Sequence, residues 1–258
     1  GGASAVVWHY DPPSAEHLGF RAAAEPLIEA SKRFWVAAGT SSWNSLIGRN
    51  SSATANIADA ITVGSEYGAR GFMLADWGDN GHLQPLAVSL PSIVRAGVGA
   101  WHGVCGNVEV GPIIDSLLGA ESGTGQIIDG LGSLADSTGL MVPNGSPIFA
   151  ALVPLPGVIA GRVDPTGCAA ARHALDEARE RFPDALGSSG RGRVLAEELN
   201  AAVRLAQIGL DRLQGQSIKP ARLEQALVAQ RSAWLRTSRP GGVADALGRL
   251  KPRSAAER

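Results

Sequence analysis

Three short apolar runs punctuate the first hundred residues, and each is followed by a polar loop and then by a segment of helical period. The runs are AVVWH (5–9), FWVAAG (34–39) and GFMLADW (71–77). Between them lie SAEHLGFRAAAEPLIEASKR (14–33) and SATANIADAITVGSEYGARG (52–71). In the second segment Ile57, Ile61, Gly64 and Gly68 recur three or four apart, and Gly68 or Gly71 supplies a helix stop. After the third run, PSIVRAGVGAWHGV (91–104) sets Pro91 in a first helical turn. The pattern predicts three consecutive βα units.

Strands separated by crossover helices pair in parallel, and uninterrupted apolar strands such as AVV and GFML predict burial on both faces. A doubly wound sheet and a TIM barrel both meet that description. The loops after the runs, WHYDPPS, GTSSWNSLIGRN and DWGDNGHLQP, are long and polar with aromatic tips, which suits a site at the C-terminal ends of barrel strands. No G-x-G-x-x-G follows any strand, which weakens a nucleotide-binding sheet. The pattern therefore favours an α/β fold built as a partial TIM (β/α)8 barrel. A full barrel takes eight strands and about 250 residues. Three strands cannot close, so their edges need more chain or another protomer to cover them.

From about Gly106 the strand signal fades into Gly-rich turns and amphipathic helices. HALDEARERF (173–182), RVLAEELNAAVRLAQIGLDRLQG (193–215) and LEQALVAQRSAWLRTS (223–238) read as helices, with Leu195, Leu199, Val203, Ala206 and Leu210 on one face of the second. The expected division is a barrel portion over 1–105 and an all-helical domain over 106–258, whose closing RLKPRSAAER is expected to fray.

Composition changes little in this picture. With 45% apolar and 18% charged residues the chain has the balance of a globular protein. A net charge of -1 supplies no electrostatic case for nucleic acid or an anionic membrane. The most apolar stretch, 146–161, is broken by Pro147, Pro154, Pro156 and Gly157, which argues against a membrane span. Cys105 and Cys168 lack metal-type spacing and are expected to be buried free thiols. The opening GGASAVVWHYD carries no initiator Met and no secretion signal, so chain upstream of Gly1 is expected to have been removed or to be missing.

Candidate chemistry is densest at DWGDNGHLQP (76–85). If the strand pleat persists through Gly78, Trp77 and Asp79 share a face. An indole beside a carboxylate suits a sugar, because the ring packs on the apolar C–H face of a pyranose while the carboxylate accepts from its hydroxyls. A core Trp beside a turn-forming Asp is the bland alternative. Trp43, in a loop of Ser, Thr and Asn, is expected to face a cleft. Arg49 in the same loop can contact substrate, cap the loop or pair with Asp59. Trp8 and Tyr10 share one parity at the end of the first strand, with His9 and Asp11 on the other. His9 and His82 are candidate bases, although a lone His near a strand end is more often a structural hydrogen-bonding group. His9, Asp11, Asp79 and His82 lack the spacing of a defined metal site. No catalytic triad is legible, and no cofactor is called for.

These residues carry a resemblance. WHYD, the run GTSSWNSLIGRNSSATANIADAITVGSEYGARGFMLADWGDNGHLQP and, more weakly, VPNGSPIFAAL (142–152) and WLRTSRPGGVADAL (234–247) resemble bacterial glycoside hydrolase family 20, the β-N-acetylhexosaminidases and their relatives. The resemblance covers the last three βα units of the catalytic barrel and the helical tail behind it. It implies that Trp77 and Asp79 bind the terminal sugar, Asp79 standing where Glu is usual and reaching about one methylene less far. It also implies that Trp43, with Trp8 or Tyr10, forms aromatic walls.

Such enzymes hydrolyse terminal β-linked N-acetylhexosamines with retention, using the substrate's own acetamido oxygen as nucleophile. The resemblance places their adjacent Asp-Glu pair at the end of the fourth barrel strand, upstream of this sequence. The one adjacent Asp-Glu here, Asp176-Glu177, falls on the polar face of a helix and is rejected as catalytic. The expected partner is a glycan or glycoside containing N-acetylhexosamine, and the missing barrel half or self-association completes the fold. Two rivals stay open. One is a non-catalytic carbohydrate-binding or regulatory protein, and the other is a barrel enzyme using Asp76, Asp79 and His82 with a metal.

Overall fold

The computed structural model describes residues 3–14, 18–103, 105, 108–156, 159–187 and 190–250. The three predicted runs form β1 (Ala5–Trp8), β2 (Phe34–Gly39) and β3 (Phe72–Ala75), parallel and in the order β1-β2-β3. Val7 pairs with Val36, and Val36 with Phe72. The crossovers carry α1 (Gly19–Glu29) and α2 (Asn50–Glu66), and α3 (Leu90–His102) follows β3. Pro91 sits in the first turn of α3, and Gly103 ends it in the left-handed region at φ 73°.

Strand order without reversal puts successive right-handed crossovers on one side of a sheet. Val7, Phe34, Val36 and Ala38 accordingly form one buried cluster with Phe20 and Ala24 of α1, Ile57 and Ile61 of α2, and Ala96 of α3. The opposite face is open. Val6, Trp8, Trp35 and Met73 on it are between 36% and 66% exposed. This corrects the expectation of burial on both faces: the strands have the apolar character of a doubly covered sheet, but no described element packs over the second side.

The remaining chain adds α4 (Val110–Leu118), α5 (Thr124–Leu131), α6 (Pro147–Ala150), α7 (Pro165–Ala185), α8 (Gly190–Leu213), α9 (Pro220–Thr237) and α10 (Val243–Arg249). It is not all-helical as expected. β4 (Leu140–Met141) and β5 (Ala160–Gly161) form a short antiparallel pair. Gly139 and Gly161 take φ of 73° and 99°, and a Cβ on Gly161 would stand 2.2 Å from the Gly139 carbonyl oxygen. Two residues per strand are too few to write an alternating pattern, so glycine geometry is what makes this pair.

The predicted stripe of α8 is buried at Leu199, Val203, Ala206 and Leu210, whereas Leu195 is only partly covered. Asp211, 2% exposed, accepts from Arg172 of α7 and Arg222 of α9, which locks three helices through one carboxylate. Their core also takes in Leu46, Ile47, Leu83 and Val88 from the loops after β2 and β3, so these loops are anchored in the helical half. Leu250, expected to fray, is fully buried, while 251–258 lie outside the described residues. Cys168 is buried and Cys105 half-buried, both free. No described helix is long and apolar enough to cross a membrane.

Candidate functional site

The strand ends are set by one buried amide. Asn56 of α2 accepts from the Gly39 backbone N–H at 3.0 Å and donates to the carbonyls of His9 and Asp11 at 3.0 and 3.2 Å. It thereby fixes where the chain leaves β1 and β2. Beyond that point Trp8 and Tyr10 lie on the open face, as their parity predicts, with ring centroids 5.5 Å apart.

Tyr10 is the hub of an aromatic cluster. Its ring meets Trp43 at 5.0 Å and Trp77 at 6.5 Å, and its hydroxyl accepts from Trp77 Nε1 at 2.9 Å. Gly39 makes room for this packing, because a Cβ there would stand 2.4 Å from Trp43 Cη2 and 2.8 Å from Tyr10 Cδ1. Trp8 and Trp77 are 66% and 50% exposed, whereas Trp43 is 1% exposed. The expectation that Trp43 faces a cleft is therefore corrected. Its Nε1 donates to Asn144 Oδ1 at 2.7 Å, so a turn from the helical half seats the ring in the base of the cluster.

Arg49 packs its guanidinium 5.3 Å from the Trp43 ring centroid and donates from Nε to the Ser41 carbonyl at 3.0 Å. Of the three roles open to it, capping its own loop is realised. Pairing with Asp59 is not, since Asp59 accepts from the Phe20 backbone N–H. Arg49 Nη2 is buried with no hydrogen-bond partner among the described residues. Burial pushes the guanidinium down to about 10, against the fields of Asp11 and Asp79, which act to raise it. At neutral pH it stays a cation in the fields of these two carboxylates.

Asp79 departs from the strand pleat. It begins a 3-10 turn over Asp79–Gly81, in which Asn80 has φ 51° and the following His82 has φ 49°. The alternation that would have set Asp79 on the face of Trp77 ends at Gly78, a correction forced by this turn, and Asp79 stands exposed beside the cluster. Asn80 Nδ2 donates to Asn44 Oδ1 at 2.8 Å, while Asn80 Oδ1 accepts from Arg249 of α10 at 3.2 Å. His82 packs edge-on against Trp234 of α9, centroids 6.2 Å apart, and so points away from the aromatic cluster.

Asp76 is a brace. Its carboxylate accepts from Thr40 Oγ1 and Ser42 Oγ, each at 2.6 Å, and from Ser89 Oγ at 3.0 Å. Three hydroxyls engage both oxygens of this carboxylate, three of its roughly four lone-pair positions, and so tie the loop after β2 to the end of β3. Among the described residues no group of three His, Cys, Asp or Glu side chains is placed to hold a metal ion. Asp176 and Glu177 lie on the exposed side of α7, where Asp176 accepts from Gln207 of α8 at 2.5 Å.

Sequence reasoning missed Asn56, Asn144 and Arg249. Only Asn144 gave a local signal, an Asn-Gly turn whose Asn takes φ 49°. Compared with known proteins, the chain matches no protein-family model and no curated protein. What the site offers chemically is two open indoles, a phenol, an exposed carboxylate and a buried cation at one end of three parallel strands. Exposed indoles can stack on flat apolar ring faces, and a phenol or carboxylate can hydrogen-bond to hydroxyl groups.

Proposed function

We propose that this chain is the C-terminal part of a glycoside hydrolase resembling the family 20 β-N-acetylhexosaminidases. In this reading its three βα units are the last three of a (β/α)8 barrel. The single observation that carries it is the Tyr10-centred cluster: Trp8 and Trp77 stand open at the C-terminal strand ends, on the sheet face that no described helix covers. In a barrel that face lines the interior, and substrates bind at those ends.

Trp77 and Trp8 then stack on the terminal N-acetylhexosamine, Asp79 accepts from its hydroxyls, and Arg49 backs the wall by holding Trp43 and the loop around it. The reaction is retaining hydrolysis in which the acetamido oxygen attacks the anomeric carbon. The Asp-Glu pair that orients it and protonates the leaving oxygen comes from barrel strands outside residues 1–258.

The test is release of nitrophenol from its N-acetyl-β-glucosaminide. Residues 1–258 alone are expected to release none, and the chain carrying the complete barrel to release it steadily. Robust turnover by 1–258 overturns the assignment of the acid to another segment. Failure of the complete barrel to turn over or bind N-acetylglucosamine overturns the hydrolase reading. The exposed apolar sheet face also favours a second reading, a non-catalytic carbohydrate-binding protein closed by self-association. A folded oligomer that binds the sugar without turnover would put that reading first.

A further inference from the structure

The loop after β3 has two sides. One carries Trp77, whose indole joins the aromatic cluster; the other forms a wall of a cavity of about 440 Å³ lined also by α8 and α9. That volume lies within the range of small-molecule pockets, which are mostly apolar with a few placed polar groups. Here Leu86, Leu90, Leu118, Val194, Leu195 and Trp234 supply the apolar body. Leu195, the partly covered member of the α8 stripe, is bare on this side.

The polar lining is mixed: Asp76 and Glu198 bring carboxylates, Gln84 and Gln230 amides, and His82 and Arg191 nitrogen groups. Gln84 is 4% exposed, its Nε2 donates to the Trp77 carbonyl at 2.9 Å, and its Oε1 is buried without a partner. Gln230, also lining the cavity, has its Nε2 engaged by the Leu83 carbonyl at 3.1 Å. Glu198 receives one hydrogen bond, from Thr237 Oγ1 at 2.5 Å, and no described cation pairs with it. Burial pushes its carboxyl above the ordinary range, which the Thr237 hydroxyl only partly opposes. Arg191 also lines the cavity but is exposed, at its mouth. A half-buried carboxylate with no described cation partner, facing a leucine-rich wall, asks for a donor that brings an apolar body with it.

We propose that this cavity is a second binding site, distinct from the sugar wall, for a small organic amine with an apolar or aromatic body. The ammonium pairs with Glu198, and the body packs on the leucines and Trp234 beside the Gln84 side chain. Because the other end of the Gln84 amide holds the Trp77 carbonyl, occupancy reaches the loop that carries the sugar wall. The inference does not depend on the hydrolase reading.

Tryptamine is a suitable probe, with indole-3-propionate as the counterpart of opposite charge, both titrated calorimetrically into the whole protein. Tryptamine is expected to bind at least about tenfold more tightly than indole-3-propionate, and Glu198→Gln to weaken it by about tenfold, the equivalent of roughly 1.4 kcal/mol. Leu86→Trp, at a rim residue 67% exposed, is expected to block the cavity while leaving the circular dichroism spectrum unchanged. Absence of tryptamine binding at millimolar concentration overturns the proposal. So does equal binding of the two probes, or undiminished tryptamine binding in either variant.

Discussion

In the helical half, Leu175 and Phe182 of α7 and Leu199 and Val203 of α8 are enclosed on every side, and even a carboxylate, Asp211, is sealed between two arginines. In the sheet half, Val7 and Val36 are enclosed beneath α1 and α2 while Val6, Trp8, Trp35 and Met73 stand open on the other face. The difference follows from how each element satisfies its backbone. A helix closes its own hydrogen bonds and needs neighbours only for its apolar stripe. A sheet of three parallel strands has two open edges and a second apolar face, and both ask for more structure. The candidate site sits on the half whose second face is open, held in place by loops rooted in the finished, fully enclosed one.

The sharpest way to break this comparison is to open the finished half. Asp211→Ala leaves Arg172 and Arg222, both partly solvated, without their shared acceptor and is expected to cost about 3 kcal/mol in urea unfolding. Next comes the joint between the halves. Asp76→Ala releases three hydroxyls and is expected to cost roughly 2–3 kcal/mol, with loss of ordered tryptophan signals in near-UV circular dichroism. Gly39→Ala pushes a methyl into Trp43 and Tyr10 and is expected to cost about 1–3 kcal/mol, accompanied by a shift in tryptophan fluorescence.

Val6→Thr probes the open face. In residues 1–258 it is expected to change stability by less than about 0.5 kcal/mol; on the barrel reading proposed above, a chain carrying the complete barrel buries the same side chain and loses more than about 1 kcal/mol. Equal effects in the two contexts would count against an interior role for this face. The smallest expected effect is a pH slope. Glu198 has its folded pKa raised above 4.5, so as pH rises from 4.5 through the raised value the unfolded chain loses its proton first. Stability therefore declines across that window, and Glu198→Gln should flatten the decline in thermal melts repeated at several pH values.

Much of the local structure was legible along the chain. Ile57 and Ile61 recur at helical spacing and end up buried in α2, and Pro91 and Gly103 bracket α3 as their backbone preferences require. Trp8 and Tyr10 share a parity and share a face. The reading went astray where a neighbour distant in sequence decides the outcome. Trp43 looked like a cleft residue among Ser and Asn, but Asn144, 101 positions away, takes its indole N–H. Asp79 looked like the next residue on a pleat, but Asn80 adopts a left-handed turn that is held by Asn44 and Arg249.

What the sequence determined by itself is the set of elements: three strands parallel because helices separate them, and long amphipathic helices behind them, all written in spacings of two, three and four residues. Only the tertiary structure decided that α1, α2 and α3 all lie on one face, that Trp43 is a base and Trp77 a rim, that Asp76 braces Thr40, Ser42 and Ser89, and that a cavity lies behind the loop of Trp77. Periodicity reports which side of an element is apolar. It carries no information about which distant side chain arrives to cover that side, or whether any does.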